Sequence, residues 1–102
     1  GCLMKIDRDG HSLNLNTEVD ITTANIEDIR AKILEEMDDT LSEIVLDLEK
    51  VSLIDSSGIS LLVSIQNTLK KKSGQLKLIN VSEDLQRMFK LMRLDQHITI
   101  TE

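Results

Sequence analysis

The segment Leu53-Ile54-Asp55-Ser56-Ser57-Gly58-Ile59 is the junction around which the rest of the chain arranges itself. An apolar pair delivers the end of a strand, and small polar residues then turn the chain into an apolar-periodic helix. Short polar side chains suit a helix start because they accept from backbone N–H groups that have no carbonyl one turn earlier. Ser56 or Ser57 fits the capping position, Asp55 favours the positive end of the helix dipole, and Gly58 lets the backbone pass closely. The same geometry supports a functional reading. A hydroxyl at a helix N-terminus is exposed beside unpaired N–H groups, so a phosphate placed there need not unfold the domain. That phosphate adds nearly two negative charges beside Asp55, which a partner docked flush on the spot meets as repulsion.

Upstream of the junction, Leu3 to Asn16 reads as a hairpin, with Asp9-Gly10 as the turn dipeptide between strands around Met4–Asp7 and Ser12–Asn16. A helix follows from about Ala24 to Asp38. Thr22 or Thr23 is its expected cap, and its core stripe is Ile26, Ile29, Ile33 and Met37. The acidic run Glu35, Glu36, Asp38, Asp39 stands at the wrong end of that helix for the dipole and is read as a solvated face. Glu43–Leu48 is a strand expected to be central and covered on much of both faces, with Ile44, Leu46 and Leu48 on one side and Val45 on the other.

Downstream, a second helix spans about Ser57 to Lys71. Ile59, Leu62, Val63 and Leu69 form its apolar row, and Ser60, Ser64, Asn67 and Lys71 its polar face. Ser73-Gly74 ends it. Gln75–Val81 is a strand. Ser82 then caps a third helix, Glu83 to Met92, with Leu85, Met88, Phe89 and Met92 as its stripe, and Ile98–Ile100 is a last short strand. The order β-β-α-β-α-β-α-β places the chain in the α/β class, with a central mixed β-sheet of four to five strands and helices packed against it.

At 102 residues this is one domain, large enough to hold together without a metal or disulfide. There is no Trp, Tyr or Pro and a single Phe, so base stacking has no aromatic platform, and the net charge of −6 opposes direct nucleic-acid binding. Residues 1–55 carry a balance of −9 and residues 56–102 one of +3, a dipolar surface suited to steering a protein partner or simply two differently solvated faces. Cys2 is the only thiol, and His11 and His97 are the only histidines. No spacing among them resembles a metal site, and no base accompanies a serine for nucleophilic catalysis. The four glycines never cluster into a phosphate loop, so neither a metal nor a cofactor is expected. No apolar run approaches a membrane span and no signal peptide opens the chain, which sets the expectation of a cytoplasmic protein.

The run Val45-Leu46-Asp47-Leu48, then Val51, then Ile54-Asp55-Ser56-Ser57-Gly58 resembles the signature of the STAS (sulfate transporter and anti-sigma factor antagonist) domain. The likeness covers nearly the whole chain, including the opening hairpin, Val19-Asp20, Gly74 and Leu85–Leu94, and points to the short bacterial anti-sigma factor antagonist type. It implies a regulatory binding protein and not an enzyme. The unphosphorylated form binds an anti-sigma factor that is also a serine kinase and so frees a sigma factor; phosphorylation ends the binding, and a PP2C-type phosphatase restores it. By motif, Ser56 is the implied phosphoacceptor, with Asp55, Ser57 and Gly58 shaping its loop. The polar face Ser60, Ser64 and Asn67 is the expected docking surface.

Two departures stand against the family pattern. Asn16-Thr17-Glu18 replaces a common glycine before Val19-Asp20, so Asn16 is expected to supply a positive φ. The chain also stops at Glu102, soon after the last strand, so the expectation is a single domain, 1–102, lacking the family's C-terminal helix. Gly1, in place of Met, reads as a scar or an internal start. The alternatives are a STAS regulatory domain of an anion transporter, a lipid-transport accessory complex or a stressosome, and a small enzyme or nucleotide-binding domain with Asp55 as an acidic catalyst.

Overall fold

The computed structural model describes residues 3–102; Gly1 and Cys2 lie outside the described residues. β1 (Met4–Asp9) and β2 (Ser12–Thr17) form the opening hairpin, in register from Met4 opposite Thr17 to Asp9 opposite Ser12. The turn is therefore Gly10-His11, one residue later than the Asp9-Gly10 pair suggests, because Asp9 still belongs to the ladder. Gly10 takes φ +61°, the left-handed value that two-residue hairpins need and that glycine adopts without a Cβ clash.

α1 (Ile26–Glu36), β3 (Glu43–Asp47), α2 (Ser56–Lys70), β4 (Gln75–Ile79), α3 (Glu83–Leu91) and β5 (Thr99–Ile100) follow in the expected order. The strands lie side by side as β1-β2-β3-β4-β5, antiparallel only between the first two. Leu13, Ile44 and Leu76 stand abreast across β2, β3 and β4, as do Leu15, Leu46 and Leu78, and all six are buried. Ile29 and Ile33 of α1, Leu62, Ile65 and Leu69 of α2, and Leu85 and Phe89 of α3 complete the same core. The alternate residues, Asn14, Asn16, Val45, Asp47, Lys77 and Ile79, are only half-buried. The sheet is thus covered well on one face, and the expectation of cover on both sides of β3 is corrected: Val45 looks onto a polar, partly open surface.

Other boundaries move for identifiable reasons. Asn25, and not Thr22 or Thr23, stands at the cap position of α1, but it accepts no helix N–H with its side chain, which instead donates back to the Asp20 carbonyl. The helix stops at Glu36 because the Asp38 carboxylate gathers the N–H groups of Thr40 and Leu41, the Thr40 hydroxyl and the Arg8 guanidinium into a turn. That gives one member of the acidic run a structural duty beyond solvation. Asn16 stays in β2 without a positive φ. Ser82 caps α3 as expected, accepting from the Leu85 N–H at 3.3 Å. α3 ends at Leu91, however, and Met92 is 49% exposed and not part of the stripe. A one-turn 3-10 helix at Leu94–Gln96 precedes β5.

Candidate functional site

Two connections, one leaving β2 and one leaving β3, are fastened together beneath the mouth of α2. The Glu18 carboxylate accepts from the Lys50 ammonium at 2.7 Å. The Asp20 carboxylate accepts from the N–H groups of Ser52 at 2.9 Å and Leu53 at 3.2 Å. Ile21 and Ile54 form a parallel bridge, in which the Ile21 N–H donates to Leu53 and the Ile21 carbonyl accepts from the Asp55 N–H. Ile54 is buried by this bridge, whereas Leu53 is turned outward and 56% exposed, an apolar side chain standing in solvent beside the junction. The apolar pair of the sequence is thereby split between core and surface.

Asp55 is the true cap of α2, in place of Ser56 or Ser57. Its Oδ1 accepts from the Gly58 N–H at 3.0 Å. Its Oδ2 accepts from the Thr23 N–H at 2.9 Å and the Thr23 hydroxyl at 3.1 Å. These donors, the Thr23 N–H first and the Gly58 N–H next, hold the Asp55 carboxyl below the ordinary carboxylate range, because each favours the charged form. An N–H group that an incoming phosphate would have used is therefore already occupied by Asp55. A phosphate at this mouth gains from the helix dipole but lies against a fixed negative charge.

The two serines behave differently. Ser56, the first residue of α2, is exposed, and its hydroxyl has no hydrogen-bond partner among the described residues. Ser57 is half-buried, and its hydroxyl lies 2.9 Å from that of Thr23. Gly58 is buried with its Cα hard against the Ile21 backbone. Ser60, Ser64 and Asn67 are all exposed, and with Ser56 they make one row at spacings of four, four and three residues, the period of a single helix face. Glutamate and aspartate are absent from that row, so the face below Ser56 is small and uncharged until Lys71.

The segment Asp55–Gly58 and the α2 face thus come together as the sequence suggested. Three contributors were not legible as site residues: Thr23, read as a helix cap; Asp20, noted only as part of a motif; and Leu53, read as part of a strand end that the structure reduces to the single Ile21–Ile54 bridge. Nothing local distinguishes them, since each acquires its place from a partner some thirty residues away. His11 is tied to the Thr40 carbonyl through Nδ1 at 2.8 Å, and His97 is exposed between α3 and β5, where it lines a pocket with Asn67 and Lys70 of α2; neither histidine is hydrogen-bonded to Ser56. Among the described residues no group of three or more His, Cys, Asp or Glu side chains is placed to hold a metal ion, and no helix is long and apolar enough to cross a membrane.

A family model described as STAS domain matches residues 4–102. The chain is 32% identical to the anti-sigma-B factor antagonist of Bacillus subtilis over 89 residues, which cover 87% of this chain and 79% of that protein. In structure it resembles a Thermotoga maritima protein assigned as an anti-sigma factor antagonist, with a TM-score of 0.89 at 20% identity over 97% of this chain and 86% of that one. It also resembles the Bacillus cell fate determinant SpoIIAA in its phosphorylated form, with a TM-score of 0.75 at 21% identity over 97% of this chain and 91% of that one. Fold, motif and curated relative agree: the chain belongs to the STAS domain family.

Proposed function

We propose that this protein is an anti-sigma factor antagonist that works by partner switching, with Ser56 as its phosphoacceptor. The observation that carries the proposal is the free, exposed Ser56 hydroxyl at the head of an uncharged row on α2, beside a carboxylate that is already fixed. The unphosphorylated chain docks Ser56, Ser60, Ser64 and Asn67, with Leu53 at the margin, onto an anti-sigma factor that is also an ATP-dependent serine kinase. In the transfer step Ser56 Oγ attacks the γ-phosphorus of ATP. The new O–P bond forms as the bond to the β-phosphate oxygen breaks, ADP leaves, and the hydroxyl proton passes to a base of the kinase. The phosphoserine then places nearly two negative charges beside Asp55 on a surface that must lose water to bind, and the partner is released. A PP2C-type phosphatase resets the protein, whose role is binding and not catalysis, and the cytoplasm is the proposed setting.

The test is recovery of the partner from the source cell by wild type, Ser56→Ala and Ser56→Asp, with mass-spectrometric mapping of phosphate after incubation with the recovered kinase and ATP. Retention by Ser56→Ala and loss with Ser56→Asp are expected, and one phosphate is expected on wild type and none on Ser56→Ala. Equal recovery by both variants, or an unmodified wild type, defeats the proposal.

A further inference from the structure

We infer that Thr23 is a specificity-determining positioning residue: by accepting the Ser57 hydroxyl proton it withholds Ser57 from phosphoryl transfer and leaves Ser56 as the single acceptor. This rests on the function proposed above and adds a physical reason for the choice between two adjacent serines, which the motif makes by position alone.

The proton positions follow from the chemistry of the three groups. Asp55 Oδ2, ionised, only accepts, and Thr23 Oγ1 lies 3.1 Å from it, so the single Thr23 hydroxyl proton points to Asp55. The Ser57 hydroxyl is 2.9 Å from the same Thr23 oxygen. Since the Thr23 proton is already used, Ser57 is the donor in that contact. A directed chain results, Ser57 to Thr23 to Asp55, ending on a charge, and hydrogen bonds in such a chain polarise one another. Ser57 is thereby held in one rotamer, half-buried, with its proton and one side of its oxygen engaged. Phosphoryl transfer to Ser57 requires this chain to break, because the attacking oxygen must be free to approach the γ-phosphorus in line. Ser56 carries no such obligation. The backbone around Thr23 is held independently, by the Ile21 bridge and by the Asp20 carboxylate on the opposite connection, so removal of the hydroxyl alone leaves the loop in place.

Thr23→Val removes the hydroxyl at constant shape, and Thr23→Ser restores it. Two readouts decide the matter, with a thermal melt to show that each variant is folded. The first needs no partner. Solvent exchange of side-chain hydroxyl protons, followed by NMR at low temperature, is expected to show a protected Ser57 proton in wild type and Thr23→Ser, and an unprotected one in Thr23→Val, with Ser56 unprotected in all three. A Ser57 hydroxyl that exchanges as fast as that of Ser56 in wild type overturns the inference whether or not any kinase acts. The second is the phospho-Ser57 to phospho-Ser56 ratio after incubation with the recovered kinase and ATP. It is expected to rise about ten-fold in Thr23→Val, the scale of losing one or two hydrogen bonds, and to return in Thr23→Ser. A Thr23→Val protein modified on Ser56 alone also overturns the inference. A wild-type chain that takes no phosphate defeats the proposed function instead, and the hydroxyl exchange still decides the role of Thr23.

Discussion

The backbone carbonyl of Ile21 occupies the space where a β-carbon on Gly58 would have to stand, with Ile54 Cγ2 crowding the same point at 2.7 Å. This one approach locks the connection after β2 to the first turn of α2 and so sets the height at which Ser56 is presented. Gly58→Ala is expected to lose about 1–3 kcal/mol, the usual cost of forcing atoms into a filled site. In a domain of this size each kcal/mol lowers Tm by about 4–8 °C. A variant melting within about 2 °C of wild type would show that the loop yields freely and that glycine is not needed there.

The end of α2 offers the opposite experiment. Ser73 holds φ +59° and donates its N–H to the Lys70 carbonyl, while the Gly74 N–H donates to Leu69, the two bonds of a helix-ending motif that ordinarily places glycine at the left-handed position. Here serine bears the strain, and the glycine one residue later is required for a different reason, since the Ser42 carbonyl lies against its Cα. Ser73→Gly is therefore expected to stabilise by about 1 kcal/mol and Gly74→Ala to destabilise by more than that, both read from urea unfolding. Destabilisation by Ser73→Gly would contradict this account of the turn.

Acid should loosen the protein through two named carboxyls. Asp55 is held below its ordinary value of 3.8 by the Thr23 and Gly58 N–H groups, and Asp38 by the Thr40 hydroxyl and then Arg8. A carboxyl with a depressed folded-state value takes its proton more readily in the unfolded chain. The stability it contributes is complete above the unfolded value and is lost as pH falls toward the folded one. Urea midpoints are expected to be flat with respect to these groups down to about pH 4 and to fall below it. Asp55→Asn and Asp38→Asn should each be less stable than wild type at neutral pH and lose less of what remains on acidification. Parallel curves for wild type and variants would remove these carboxylates from the account.

The proposed docking face is open to a separate test that leaves Ser56 untouched. Ser64→Arg on the uncharged row, and Leu53→Asp at the junction, are exposed positions whose effect on folding is expected to stay within about 0.5 kcal/mol. Each is expected to weaken binding of the proposed kinase partner at least ten-fold, about 1.4 kcal/mol, by clash in one case and by loss of an apolar contact in the other. Calorimetric titration reads both. Unchanged affinity in the two variants together would place the partner on another surface.

Much of this protein can be read along the chain. Apolar spacing identifies each strand and helix to within a few residues, because the periods of two and of three to four residues are local consequences of backbone geometry. Asp55 through Gly58 likewise declares a helix mouth bearing a free hydroxyl, and Ser60, Ser64 and Asn67 declare its polar side. Contacts between distant segments are decided only when the connections after β2 and β3 close on each other. That closure assigns the cap to Asp55, draws Thr23 away from α1, seats Ile54 while expelling Leu53, and separates Ser57 from Ser56. Hydrogen-bond partners thirty residues apart leave no periodic trace in a sequence, so which of two neighbouring serines stands free is a property of the folded molecule alone.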